Sequence, residues 1–65
     1  MGEYSTSQID FLIGEWVHDE LDRHILRRRM IDNVTYERIA EECNRSTNCI
    51  KTRAKRARGV LDPHL

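Results

Sequence analysis

The sequence predicts a small all-α domain of four helices that contains a helix-turn-helix. Apolar residues recur with helical spacing in several segments, and no segment shows the apolar–polar alternation that is typical of a strand. Residue types that start helices or end them in a left-handed conformation separate these segments. Because the chain has only 65 residues, we expect residues 1–65 to form a single domain, with residues 1–6 disordered.

The first predicted helix begins after Ser7, where Asp10 completes a pattern close to a capping box. Its apolar residues recur at i, i+3, i+4, i+7 and i+8, which predicts one buried stripe formed by Ile9, Leu12, Ile13, Trp16 and Val17. We expect Trp16 to be the largest single contributor to the core. Phe11 falls outside the stripe, and we expect it to be partly exposed.

The second predicted helix runs from about residue 20 to residue 31, and Asn33 is the candidate left-handed residue that ends it. Three consecutive arginines, Arg27–Arg29, lie toward its carboxyl end, where positive charge suits the helix dipole. One of them is expected to pair with Glu41 or Glu42. The others remain available to phosphate, and the sequence does not say which.

The helix-turn-helix is predicted for residues 35–61. Thr35 and Ser46 can each cap the start of a helix, and Asn44 lies where the first of the two helices must end in a left-handed residue. In the second helix the inner stripe recurs at i, i+4, i+7 and i+11 and consists of Ile50, Ala54, Ala57 and Leu61. The second helix of such a motif enters the major groove of DNA.

The net charge of zero hides a strong asymmetry. Residues 1–22 contain six acidic residues and no lysine or arginine, whereas residues 23–65 carry a net charge of +6. Within residues 45–58 there is no acidic residue and there are six basic ones, Arg45, Lys51, Arg53, Lys55, Arg56 and Arg58. This distribution indicates one basic face that binds a polyanion and one acidic face that is kept away from it.

Several classes of function have little support. The two cysteines, Cys43 and Cys49, match no common spacing for a metal or redox site, so we expect no metal and no cofactor. No combination of nucleophile and base, phosphate-binding loop or metal ligands is present, and we expect the protein not to be an enzyme. The chain shows neither a membrane span nor a signal segment, which favours a cytoplasmic protein with no membrane partner.

From about residue 22 to residue 61 the chain resembles the fourth conserved region of bacterial sigma factors, which reads the minus-35 promoter element. The matching segments are Asp22-Arg23-x-Ile25-Leu26-x-x-Arg29, Ile31-Asp32-Asn33-Val34-Thr35-Tyr36-Glu37-x-Ile39-Ala40-Glu41-Glu42, and Ser46-x-x-x-Ile50-Lys51-Thr52-Arg53-x-x-Arg56-Ala57-Arg58-x-x-Leu61. Free-standing domains of this kind in phages and mobile elements are also similar. The turn departs from the family, which usually has glycine and an apolar residue where this chain has Asn44-Arg45. We also expect the chain to lack the promoter-melting region, and therefore not to be a complete initiation factor.

The resemblance implies a DNA-binding surface at the start of the last helix. The positions that match base-reading or base-adjacent positions of the family are Thr47, Asn48, Lys51 and Thr52. An amide such as that of Asn48 can pair with adenine, and the amine of Lys51 can donate to guanine. Contacts to phosphate, which set position without reading sequence, are assigned to Arg45, Ser46, Arg53, Lys55, Arg56 and Arg58.

In the family, the helices before this motif bind a flexible flap of RNA polymerase. The resemblance implies that Phe11 and Trp16, in the acidic first half of the chain, do the same.

Three hypotheses follow. The first is a small transcription regulator that binds double-stranded DNA with sequence preference and docks on RNA polymerase. The second is a phage-type helix-turn-helix protein, for packaging or repression, that acts as a homo-oligomer without polymerase. The third is a protein-interaction module that has lost DNA binding, for which the zero net charge and Arg45 are the best support.

Overall fold

The computed structural model describes residues 5–64 and has four α-helices, which confirms the all-α fold class. They are α1 (Thr6–Trp16), α2 (Glu20–Leu26), α3 (Tyr36–Cys43) and α4 (Thr47–Leu61). A π-helical turn, Arg27–Ile31, continues α2, and a 3-10 turn, Asp62–His64, follows α4. No strand occurs within residues 5–64.

The start of α1 differs from the sequence prediction. Ser5, not Ser7, caps the helix: its hydroxyl oxygen accepts from the Gln8 backbone N–H at 3.2 Å, and the Gln8 side chain accepts from the Ser5 N–H at 3.0 Å. This reciprocal pair is a complete capping box. The predicted disorder of residues 1–6 is therefore wrong for Ser5 and Thr6, while residues 1–4 lie outside the described part of the chain.

The core consists of two clusters that share α4. One cluster joins α1, the end of α2 and the second half of α4 through Ile13, Val17, Leu26, Ala57 and Leu61. The other joins α2, α3 and the first half of α4 through Ile25, Ile39, Ala40, Ile50 and Ala54. The predicted inner stripe of α4 is thus confirmed. Because both clusters use that stripe, α4 buries its apolar side along most of its length and leaves the opposite side to solvent.

Trp16 does not occupy the core as predicted. Its side chain is 42% exposed, and its ring stacks on the imidazole of His64 with the ring centroids 3.9 Å apart. Trp16 therefore lies at the edge of the domain, while Ile13 of the same helix and Val17, the next residue, are buried in the core. Phe11 is 64% exposed, which confirms that it lies outside the stripe.

The predicted caps and the left-handed residue of the helix-turn-helix are present in the structure. The hydroxyl of Thr35 accepts from the Arg38 N–H at 3.3 Å, and that of Ser46 accepts from the Cys49 N–H at 3.2 Å. Asn44 has the left-handed conformation, with φ of 56° and ψ of 45°. The backbone N–H of the next residue, Arg45, donates to the carbonyl of Ala40 at 2.9 Å and closes the end of α3. Asn33, at the end of the preceding helix, is left-handed as well, with φ of 57°.

The arginines of the π-helical turn point to different neighbours. Arg27 donates to Asp10 of α1 at 2.6 Å. Arg28 donates to Glu42 of α3, which confirms the expected pairing of one arginine with Glu41 or Glu42. Arg29 lies over the ring of Tyr36, with 4.8 Å between the guanidinium carbon and the ring centroid. The arginine triplet therefore ties the helix to both α1 and α3.

Candidate nucleic-acid interface

The exposed side of α4 carries a row of polar and basic side chains. Successive residues of an α-helix are about 100° apart, so positions 48, 52 and 55 lie on one side of the helix, opposite the buried stripe. Asn48, Thr52 and Lys55 are all exposed, as is Lys51 beside them. The structure thus brings three of the four predicted base-reading residues together on one open face.

Thr47, the fourth predicted base-reading residue, lies at the edge of this face. It is half-buried and lines an open cleft of about 570 Å³ between α3 and the turn. The same cleft contains Glu37 and Glu41 of α3 as well as Arg45 and Ser46 of the turn. Positive and negative groups therefore share this edge, whereas no acidic residue lies on α4 itself.

Five of the six predicted phosphate contacts are accessible. The exposed ones are Arg45, Ser46, Lys55, Arg56 and Arg58. Arg58 has a carboxylate nearby, since its Nε is 3.9 Å from the Asp62 carboxylate on the surface. A surface ion pair of this length contributes little. These side chains remain open to a polyanion approaching α4.

Arg53, the sixth predicted phosphate contact, is placed differently. Its Nη1 donates to the Asp22 carboxylate of α2 at 3.2 Å and lies 3.8 Å from that of Asp19. The hydrogen bond from Arg53 to Asp22 raises the pKa of the guanidinium above its usual range. Asp22 is only 8% exposed, so this pair lies between two helices rather than on the exposed face of α4. No sequence pattern links residues 31 positions apart, and the pair was not predicted.

Arg29 is the candidate phosphate contact that the sequence left undecided. Of the arginine triplet, Arg27 and Arg28 have carboxylate partners, whereas within residues 5–64 no carboxylate lies within 4.0 Å of Arg29. Arg29 lines a cleft of about 290 Å³ together with Met30, Asn33 and Arg58. This cleft places a second arginine next to the exposed Arg58 of α4. Helical spacing alone could not identify Arg29, because its neighbours in the sequence carry the same charge.

The two predicted partner-binding residues lie on α1, away from the exposed face of α4. Phe11 lines an apolar groove of about 400 Å³ with Ser7, Gln8, Leu12 and His64. Trp16 does not line that groove, but its ring stacks on His64, which does. The 3-10 turn after α4 therefore connects the surroundings of the two aromatic residues.

Metal-binding clusters and membrane-spanning helices are absent from residues 5–64. Within residues 5–64, no group of three or more histidine, cysteine, aspartate or glutamate side chains is arranged to hold a metal ion. None of the described helices is long and apolar enough to cross a membrane. Cys43 and Cys49 are half-buried free thiols.

A comparison with models of known protein families gives a match over most of the chain. The model of the family described as Sigma-70, region 4 matches residues 19–61, which is more than half of the chain. The matched range begins at Asp19, the cap of α2, and ends with α4, so it includes the helix-turn-helix and excludes α1. No curated protein and no solved structure matches the chain.

Proposed function

We propose that this chain, which belongs to the sigma-70 region 4 family, is a small transcription regulator that reads double-stranded DNA with α4. Membership of the family and the helix-turn-helix make it a DNA-binding domain. The regulatory role, the sequence preference and the individual contacts are our proposal. The role is one of binding rather than catalysis, and it is exercised in the cytoplasm.

The observation that carries the proposal is the division of α4 into two sides. Its apolar side is buried in both core clusters, and its other side exposes an amide, an amine and a hydroxyl at Asn48, Lys51 and Thr52. Asn48 can pair with N6 and N7 of adenine, and Lys51 can donate to O6 and N7 of guanine. These groups match the base edges that a helix meets in the major groove.

Phosphate contacts on both sides of α4 complete the proposed interface. Arg45 lies at the amino-terminal end of the helix, and Lys55 and Arg56 lie along it. Arg29 and Arg58 extend the positive surface across the cleft at Asn33. Such contacts set the position of the helix in the groove and make affinity depend on salt, because each neutralised phosphate releases counterions.

Docking on RNA polymerase is the second part of the proposal. Phe11 and Trp16 support it, because both are exposed aromatic residues on α1 and neither lies on the DNA-facing side of α4. Aromatic residues are enriched at protein interfaces. A partner bound at α1 would leave α4 free to contact DNA.

Selection from a random duplex library, with and without core RNA polymerase, tests the whole proposal. We expect an enriched motif similar to a minus-35 element, and we expect polymerase to strengthen the enrichment. The absence of any retained duplex at low salt would contradict DNA reading by α4. The same motif obtained without any effect of polymerase, from a protein that sediments as a dimer, would favour the phage-type packaging or repressor module instead.

A further inference from the structure

We infer that Arg53 and Asp22 form a positioning pair, which sets the rotation of α4 so that its exposed side chains meet the base edges. This inference rests on the proposed function, because it concerns how α4 reads DNA. It also reassigns Arg53, which the sequence resemblance implied to be a phosphate contact.

The position of Arg53 on α4 couples its ion pair to the rotation of the helix. Arg53 lies between Thr52, which is exposed on the DNA-facing side, and Ala54, which is buried in the core. Since adjacent residues are about 100° apart, any rotation of α4 that moves Thr52 also moves Arg53. The bond from Arg53 to Asp22 therefore resists the rotation that would displace the DNA-facing row.

The site that receives Arg53 is itself held in place. The Asp19 carboxylate caps α2 by accepting from the Asp22 backbone N–H at 3.1 Å, and this hydrogen bond lowers the pKa of Asp19. The Asp22 carboxylate is then fixed at the first turn of α2 and is nearly buried. Arg53 lies within 4.0 Å of both carboxylates. A charged pair in such surroundings adds little net stability, because desolvation of the two groups opposes their attraction, so its directional geometry is the larger contribution that we assign to it.

The apolar contacts of α4 supply less of this specificity. Where α4 meets α3, the buried residues include two alanines, Ala40 and Ala54. Ile39 and Ile50 of the same cluster hold α4 against the domain, whereas the two alanines, which have no rotamers, constrain its rotation less than a directional hydrogen bond does. We therefore assign the fine orientation of α4 to Arg53 and Asp22, and its general position to the apolar clusters.

Three roles for Arg53 predict different measurements. A phosphate contact would weaken binding to every duplex and reduce the salt dependence, as measured by the slope of log affinity against log salt, by about 0.9. A purely structural contact would lower the melting temperature and leave the binding properties of the folded protein unchanged. A positioning pair reduces the preference for the selected duplex over a scrambled one and leaves the salt slope unchanged.

The experiment compares Arg53→Met with Arg56→Met in the full chain. Both changes replace an arginine of α4 with methionine. Arg56 differs from Arg53 in that it is exposed and, within residues 5–64, has no carboxylate within 4.0 Å, so only Arg53→Met removes an ion pair. Affinities are measured by fluorescence anisotropy for the most enriched duplex and for a scrambled duplex over a range of salt concentrations. We expect Arg53→Met to reduce the ratio of the two affinities about tenfold, which corresponds to the loss of one base contact. We expect Arg56→Met to weaken binding to both duplexes alike and to reduce the magnitude of the slope of log affinity against log salt by about 0.9.

Four further variants test whether the effect belongs to the pair of Arg53 and Asp22, and two of them also serve if Arg53→Met does not fold. Asp22→Ala should reproduce the loss of preference, and the double variant should be no worse than either single change, because both remove the same bond. Asp22→Asn retains a hydrogen-bond acceptor and Arg53→Lys retains the charge, so both should keep part of the preference. If Arg53→Met does not fold, these two milder variants give the test.

The outcomes separate this inference from the proposed function. Two results for Arg53→Met would overturn the positioning role alone. One is a salt slope of smaller magnitude. The other is a lower melting temperature with an unchanged ratio of the affinities for the selected and scrambled duplexes. If the unmodified protein enriches no duplex, the proposed function fails first, and the inference fails with it.

Discussion

The guanidinium of Arg28 and the carboxylate of Glu42 are joined by two hydrogen bonds, from Nε to Oε1 at 3.0 Å and from Nη2 to Oε2 at 2.5 Å. This bidentate pair connects the π-helical turn after α2 with the last turn of α3. Its geometry fits the planar arginine fork and gives it more directional character than a single contact between two surface charges. It also holds the carboxyl-terminal end of α3, just before the turn of the helix-turn-helix.

The pair predicts a pH dependence of stability. The hydrogen bond from Arg28 lowers the pKa of Glu42 below its ordinary value of 4.5. Because the folded pKa is the lower one, the stabilisation is complete above the unfolded pKa and is lost as the pH falls through the folded pKa. We expect Glu42→Gln to lower the melting temperature at pH 7, and we expect the difference from the unmodified protein to disappear in acid.

Glu41→Gln is the matched control for that prediction. Glu41 is exposed, and within residues 5–64 it has no arginine, lysine or histidine nitrogen within 4.0 Å. We expect its melting temperature to follow that of the unmodified protein at every pH. A similar loss for both variants would mean that the net charge of α3, and not the Arg28 pair, controls the acid response.

Asn48→Ala should reduce sequence preference. The side chain of Asn48 is exposed on the side of α4 opposite its buried stripe, and an asparagine amide can pair with adenine. Loss of one such pair should cost about 1–3 kcal/mol on the selected duplex and leave binding to unrelated duplexes nearly unchanged. Lys55→Ala provides the contrast, because removal of a phosphate contact should weaken binding to all duplexes and reduce the magnitude of the salt slope by about 0.9. Both variants binding like the unmodified protein would contradict DNA reading by this face.

The arginine triplet allows a test of Arg29 against its own neighbour. Arg29→Ala should reduce the magnitude of the salt slope by about 0.9. The guanidinium of Arg29 has no carboxylate partner among residues 5–64 and lines the cleft beside Arg58, so it is available to a phosphate. Arg27→Ala should leave the slope unchanged, since Arg27 is bound to Asp10. Salt titrations of both variants on one duplex give the comparison. Equal slopes for the two variants would remove Arg29 from the interface.

Substitution of Asn44, the left-handed residue in the turn, should change the free energy of unfolding through the backbone conformation alone. Asn44 has φ of 56°, a conformation that costs most residues about 1–2 kcal/mol and costs glycine nothing. We expect Asn44→Gly to keep or raise the free energy of unfolding and Asn44→Ala to lower it by about 1 kcal/mol. Urea unfolding followed by circular dichroism measures both. If alanine is tolerated as well as glycine, the turn adopts a different backbone in solution.

Replacement of the exposed Phe11 should weaken binding to RNA polymerase and leave binding to DNA unchanged. Phe11→Ser should weaken capture by core RNA polymerase about tenfold or more, as expected for an aromatic anchor of an interface. Its affinity for DNA alone should stay the same, because Phe11 lies on α1. Val60→Ser is the control, since Val60 is another exposed apolar residue, 46% exposed, but lies on α4. Equal capture of both variants and the unmodified protein would remove Phe11 from the proposed docking surface.

The sequence by itself determined where most helices start and stop. The caps at Thr35 and Ser46 and the left-handed Asn33 and Asn44 depend on groups only a few positions apart, so the signals are complete within short segments. The buried stripe of α4 likewise follows from helical spacing alone. Even the one misplaced start carried a local signal, because Ser5 and Gln8 have the spacing of a capping box.

Tertiary structure alone decided which side chains are free to function. The sequence predicted that one arginine of Arg27–Arg29 pairs with Glu41 or Glu42, but only the structure shows that Arg28 does so. The pair of Arg53 with Asp22, 31 positions away, had no signal in the sequence. Trp16 has the helical spacing of a core residue, but its ring is partly exposed and stacks on His64 of the turn after α4. Packing of the helices brings these distant groups together, and a single segment contains no information about which helix will be its neighbour.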